Sequence, residues 1–181
     1  MYISEISEKA PVAFLTSLQN EVYATLDTLG IPFERVETTD LVTMEDCALV
    51  NAKFQASMVK TLYLCNSQKT EYFLFITEGS KPFSSKRFSQ ALSTSRVSFV
   101  DRKVMEHRLG VKIGAATVFS MLLKHNDAVR VVRVVLDNDV IIQQWYACSD
   151  GTTSSYLKFK TQALLDTLLP YLGHRPCIVT L

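Results

Sequence analysis

The chain has 181 residues, 48% of them hydrophobic and 20% charged, and its nineteen Lys and Arg nearly balance eighteen Asp and Glu to leave a net charge of +1. That composition excludes intrinsic disorder, which needs low hydrophobicity and high net charge. It gives no support to a nucleic-acid binder that is basic over its whole surface, so DNA is not an expected partner, although a local basic patch is compatible with it. A chain of this length is expected to fold as one domain, 1–181, burying about 70% of its unfolded surface.

In chain order, Val12, Leu15, Leu18, Val22, Leu26 and Leu29 recur at three- and four-residue steps and predict a helix over about 11–29, stopped by Gly30 and Pro32. Residues 32–37 alternate like a short strand. Thr43, Met44, Glu45 and Asp46 read as a helix start, with a capping hydroxyl and acids at the positive end of the dipole. Two apolar runs, 59–65 and 72–76, flank a polar connector and predict a β-hairpin. A short helix over 83–92, a strand over 97–100 and a helix over 104–109 follow, the last ending at Gly110. Residues 114–123 read as a compact turn running into an apolar segment. The β-branched run at Val129, Val131, Val132, Val134 and Val135 predicts a strand over 129–136. Asp137, Asn138 and Asp139 then read as a turn into a return strand from Val140, and a closing helix over 160–171 precedes a terminal strand over 177–181. The elements intermix without regular βαβ alternation, which points to an α+β domain around a central sheet.

Cys47, Cys65, Cys148 and Cys177 lie too far apart for a CxxC zinc or redox pair. With no apolar signal core and no run of roughly 18 apolar residues, the expected setting is the cytoplasm, without membrane attachment. Phosphate-loop, dinucleotide, HExxH and GxSxG motifs are absent. His107, His125 and His174 have no partner at metal-ligand spacing, so neither a metal nor another cofactor is expected. Two features stand out. Lys60 opens an otherwise apolar strand, where it reads either as an edge or snorkelling residue or as a cation presented at a pocket mouth. Gly110 and Gly114, followed by Ala115, Ala116 and Thr117, form either a tight packing turn or a stretch of bare backbone able to approach a ligand.

At these same residues the sequence resembles the YbaK/ProX family, free-standing relatives of the editing domain inserted in bacterial prolyl-tRNA synthetases. The correspondence runs from about Thr43 to Leu181. It rests on the helix-like 42–48 segment, Lys60-Thr61-Leu62-Tyr63-Leu64, the 83–92 helix, and the glycine signature Leu109-Gly110-Val111-Lys112-Ile113-Gly114-Ala115-Ala116-Thr117-Val118-Phe119. The strand Val131 to Asp137 and the ending Gly173-His174-Arg175-Pro176 complete the order. The resemblance implies an α+β (α/β) fold with a mixed, barrel-like β-sheet flanked by helices. It also implies hydrolysis of the ester in a mischarged aminoacyl-tRNA, carrying alanine or another small amino acid on tRNA-Pro. In the family's scheme, which the resemblance implies here, a water attacks with help from the terminal ribose hydroxyl, and no metal or side-chain nucleophile is needed. The aminoacyl-tRNA acceptor end is thus the implied partner. Lys60 and Gly114 are the implied catalytic positions, with Ala115, Ala116, Thr117, Val118, Tyr146, Asp150, Thr152 and Thr153 implied to line the substrate.

The sequence departs from the family pattern in three places. Val118 stands where the family has proline, Met58 stands where prolyl editing relatives often have histidine, and Tyr146 and Asp150 align with a histidine and an asparagine. Alternative readings are a paralogue of the same fold that binds an aminoacyl-tRNA or small ligand without hydrolysis, and a hydrolase of another small acyl compound. The apolar face of the N-terminal helix must be covered, either by the core or by a second copy in a homodimer.

Overall fold

The structure is a computed structural model describing residues 2–39, 47–123 and 131–181. Helix α1 spans Ser17–Thr28, started by Thr16, whose hydroxyl accepts the Gln19 amide at 3.0 Å. It begins later than the periodicity predicts. Bridges pairing Ile3 with Thr38 and Ser7 with Arg35 hold residues 3–7 beside β1 (Glu34–Glu37), the chain then reaches α1 through a series of bends, and Val12 and Leu15 lie in solvent. Leu18, Val22 and Leu26 carry the buried stripe of α1. The predicted start at Thr43 to Asp46 falls outside the described residues; α2 spans Ala48–Phe54.

The predicted hairpin forms, with β2 (Val59–Asn66) antiparallel to β3 (Tyr72–Glu78) and Lys60 opposite Thr77. Asn66 closes it by accepting the Thr70 and Glu71 amides at 2.9 and 3.1 Å. Then come α3 (Ser85–Ala91), β4 (Val97–Phe99), α4 (Arg102–Leu109), a 3-10 turn (Val118–Leu122) and β5 (Val132–Asp137). The expected turn and return strand after Asp137 are replaced by a short helix, α5 (Asn138–Ile141). The reason lies in Asp137. One of its carboxylate oxygens caps α5 at the Asp139 amide, and the other holds Thr77 Oγ1 and Lys81 Nζ, each at 2.8 Å. The chain therefore turns into a helix, and β5 takes β3 and β8 (Cys177–Val179) as parallel neighbours.

Strands β6 (Trp145–Ser149) and β7 (Ser155–Lys160) pair with each other, and β7 pairs with β1, to build a second antiparallel sheet. The closing helix, α6, runs through Thr161–Ala163, a π-helical stretch Leu164–Leu168 and Leu169–Leu172. Pro170, which has no amide hydrogen to donate one turn back, lies just after that wider turn.

Strand order is β4-β2-β3-β5-β8 in the larger sheet and β1-β7-β6 in the smaller, and a parallel bridge between Met58 and Ala147 joins them. The architecture is mixed α+β. Among the described residues the strands do not close on themselves, so in place of the expected barrel-like sheet there are two sheets meeting at a seam. Alternation along the larger sheet sends Leu74, Ile76, Val134 and Leu136 into the main core beneath α1 and α6. Phe73, Phe75 and Val135 face the opposite way, into a cluster with Phe88 of α3. Both faces are thus covered, and the Met58 seam leaves a cleft at the start of β2.

Candidate functional site

Lys60 enters from the first turn of β2, half-buried, and its ammonium donates to the backbone carbonyl of Lys81. That carbonyl is fixed in turn, because the Lys81 side chain bridges Asp137 at 2.8 Å and Asp139 at 2.6 Å. Burial lowers the pKa of Lys60 below the ordinary lysine value, partly opposed by the nearby Glu78 carboxylate. For Lys81 burial works against the charge as well, but the two carboxylates outweigh it and raise the pKa.

The loop facing β2 is shaped by two glycines with left-handed backbone. Gly110, at φ +67°, caps α4, and Gly114, at φ +87°, reverses the chain. The amide of Ala115 is used internally, donating to the Lys112 carbonyl at 3.0 Å. Those of Gly114 and Ala116 have no partner among the described residues. Downstream, Thr117 caps the 3-10 turn by accepting the Phe119 amide and donates toward the Cys148 sulfur at 3.9 Å.

Lys60, Gly114 and Ala116 line one cleft of about 410 Å³. Phe99 and Met105 give it an apolar wall, Arg102 adds a second cation at the rim, and Ser149 and Tyr156 close it from the smaller sheet. The other residues singled out in the sequence lie elsewhere. Ala115, Thr152 and Thr153 line a separate hollow of about 510 Å³ beside Gly110 and Lys112. Thr117, Val118, Tyr146 and Asp150 are fully buried and are not among the residues lining the cleft. Tyr146 packs edge-on against Phe159 in the core, with its hydroxyl unpartnered among the described residues. Asp150 accepts from Gln19 Nε2 at 2.8 Å, the Tyr23 hydroxyl at 3.0 Å, and the Thr152 hydroxyl and amide at 2.8 and 3.2 Å. It thereby ties α1 to the turn between β6 and β7, and burial raises its pKa despite those four donors.

Phe99, Arg102, Ser149 and Tyr156 were not visible as site residues in the sequence. No motif marks them, and only the pairing of β4 with β2 and the seam at Met58 bring them to Lys60. The Ser149 hydroxyl is engaged, donating to the Thr152 carbonyl at 2.6 Å and accepting the Gly151 amide at 3.0 Å. Cys148 is buried with its thiol pushed up by burial, the opposite of an activated nucleophile. No group of His, Cys, Asp and Glu among the described residues is arranged to hold a metal. The cleft therefore offers a cation, an apolar wall and two residues, Gly114 and Ala116, whose amides have no partner among the described residues. That set can orient a substrate and stabilise developing negative charge without a covalent intermediate.

A family model described as aminoacyl-tRNA editing domain matches residues 38–167. Among solved structures, hypothetical protein APE2540 is similar at a TM-score of 0.67 and 14% identity, covering 89% of this chain and 98% of that one. A proposed trans-editing enzyme for prolyl tRNA synthetase is similar at a TM-score of 0.64 and 15% identity, covering 93% and 99%. At such identities the likeness is one of fold. No curated protein matches significantly. Among the described residues no helix is long and apolar enough to cross a membrane.

Proposed function

The chain belongs to the aminoacyl-tRNA editing domain family, and from that membership we propose that it is a trans-acting editing hydrolase for mischarged aminoacyl-tRNA. Its substrate is a small amino acid such as alanine esterified to a transfer RNA, with tRNA-Pro the first acceptor to examine. The observation that carries this reading is the shared cleft, in which Lys60 and the Gly114 loop meet. Water adds to the ester carbonyl, the bond from that carbon to the ribose oxygen breaks, and free amino acid and a ribose hydroxyl result. The Gly114 and Ala116 amides are the donors available to the oxyanion, a role in which one lost donor typically costs about 10²–10³ in rate. Lys60, held by the Lys81 carbonyl, is the point cation that positions the terminal nucleotide. Removal in a second site fits the chemistry of small amino acids, because a methylene more or less in a binding pocket discriminates by only about 1–3 kcal/mol.

Met58 favours a second reading. It is a buried thioether at the seam, two residues before Lys60, where prolyl editing relatives often place an imidazole. A cleft built this way could retain the aminoacyl-tRNA end without cleaving it. Alanyl-tRNA-Pro incubated with catalytic amounts of protein separates the two. Hydrolysis with many turnovers, falling about 10²-fold in Lys60→Ala, supports the enzyme. Retention of intact ester supports the binding module.

A further inference from the structure

Charge in this chain is unevenly distributed. Residues 81–112 carry eight of the nineteen Lys and Arg but only two of the eighteen Asp and Glu, so the remainder of the molecule is net acidic. These residues form α3, β4 and α4, the edge of the larger sheet that leads into the cleft. Lys86, Arg87, Arg96, Lys103 and Lys112 are exposed, and none makes an ion pair among the described residues. Arg35, Lys53, Arg133 and Lys158, outside this edge, each pair with a carboxylate.

The surface is also shaped. Lys86 and Arg96 flank a groove of about 590 Å³ whose other lining residues include Ser89, Gln90, Ser93 and Thr94. From there β4 runs directly to Phe99, which is 61% exposed, braced edge-on by Phe83 at 5.6 Å between ring centroids, and part of the cleft wall. An aromatic ring held in solvent at the end of a groove flanked by two cations suits a polymer of phosphates and stacked bases. An acidic protein would not need the ring, and a lipid surface would not need the groove.

We propose that the α3–β4–α4 edge is the RNA track of this protein. It carries the sugar-phosphate backbone of the acceptor stem across Lys86, Arg87 and Arg96, and Phe99 stacks a base of the single-stranded 3′ end at the cleft mouth. The proposal rests on the editing reading for the identity of the RNA, but its test does not depend on hydrolysis.

The experiment titrates a fluorescent acceptor-stem minihelix ending in CCA against the full chain at several salt concentrations. Each lost phosphate contact lowers the slope of log affinity against log salt by about 0.7–0.9, so Lys86→Gln/Arg87→Gln/Arg96→Gln is expected to flatten it by about 2–3 and weaken binding at least tenfold at low salt. A control triple outside the edge, Lys9→Gln/Lys69→Gln/Arg175→Gln, is expected to leave both within twofold. Phe99→Ala is expected to lose roughly tenfold in affinity with an unchanged slope, the signature of stacking. The track is refuted if the edge triple keeps the wild-type slope, if the control triple loses as much, or if vesicles of anionic lipid compete with the minihelix as well as unlabelled RNA does. Hydrolysis of a short aminoacyl-adenosine ester, too small to reach the groove, separates the two ideas. The edge triple that still cleaves it but no longer grips the minihelix supports the track. A wild-type protein that grips the minihelix yet cleaves no ester supports the track and removes the enzyme.

Discussion

Replacing Asp150 with alanine distinguishes a residue of the chemistry from one that holds the fold. Asp150 is fully buried, and its carboxylate is the acceptor for Gln19, Tyr23 and both donors of Thr152, all of them buried. Removing one partner of a buried charged cluster costs about 3–5 kcal/mol, and each buried donor left without an acceptor costs about 1–3 kcal/mol before water or rearrangement relieves it. Part of this is returned, because burial already penalises the Asp150 charge, as its raised pKa shows. The expected net loss is about 3 kcal/mol, or a fall in Tm of about 6–12 °C for a chain of this size. Asp150→Asn keeps the shape and one acceptor oxygen, so it is expected to fall between alanine and wild type.

The pH dependence has a definite sign. A carboxyl whose folded pKa lies above its unfolded value, 3.8, stabilises the fold most below 3.8 and loses that contribution as pH rises through the folded value. The stability of wild type relative to Asp150→Asn is therefore expected to shrink as the pH is raised across that window. Urea melts at a series of pH values read this directly, and cleft function measured well below the Tm of each variant completes the test. If Asp150→Ala melts within a degree of wild type and yet abolishes ester hydrolysis, Asp150 acts on the substrate and the assignment to the α1 anchor is refuted.

Two further perturbations probe the walls of the cleft. On the proposed role of Lys60, affinity for a non-hydrolysable alanyl-amide of adenosine is expected to fall at alkaline pH with a midpoint below the ordinary lysine value of 10.5, since burial lowers the Lys60 pKa and the proposal assigns binding to the ammonium. Lys60→Arg should hold its affinity across that range, and identical profiles for the two proteins would exclude Lys60 as the titrating group. Gly110→Ala combines a left-handed φ of +67° with a Cβ only 2.8 Å from Leu123 Cδ1, whereas Gly30→Ala meets a φ of +61° and open space. The first is expected to cost about 2 kcal/mol and the second about 1, so equal melting temperatures would show that the α4 cap is looser than described.

What could be read in the sequence divides along a physical line. The β2–β3 hairpin announced itself because its two runs of apolar and aromatic residues are separated by a polar turn, and Asn66 does in the structure what such a residue does in a peptide. Lys60 stood out because a cation inside an apolar strand breaks a local pattern. In the smaller sheet β1 was legible from its alternation, but β7 gave no such signal. Ser155 through Phe159 are all buried, including Lys158, whose ammonium is satisfied by the Phe54 carbonyl at 2.9 Å and Glu34 at 2.8 Å. With every position inside, a period of two has nothing to alternate against, and a buried lysine reads as exposed until its partners are known. Asp150 and Tyr146 were drawn toward the substrate by alignment alone. In the structure Asp150 is engaged by Gln19 and Tyr23 of α1, a segment outside the region of resemblance, and Tyr146 packs on Phe159 of β7.

The misread corner at Asp137 shows how far the cleft depends on such distant partners. As a sequence, Asp137-Asn138-Asp139 is a turn by composition. Its two charges are instead spent on Lys81, a residue 56 positions earlier, and Asp137 also accepts from Thr77, the register partner of Lys60. Lys81 then offers its carbonyl to the Lys60 ammonium. Lys60 is thus positioned by a chain of contacts from the end of β5, across β3, to the start of β2. A hairpin at Asp137 would have left Lys81 without its anchor and Lys60 without its acceptor. The parallel placement of β5 beside β3 is therefore a condition of the cleft, since it is what brings the Asp137 carboxylate within reach of the strand that faces Lys60.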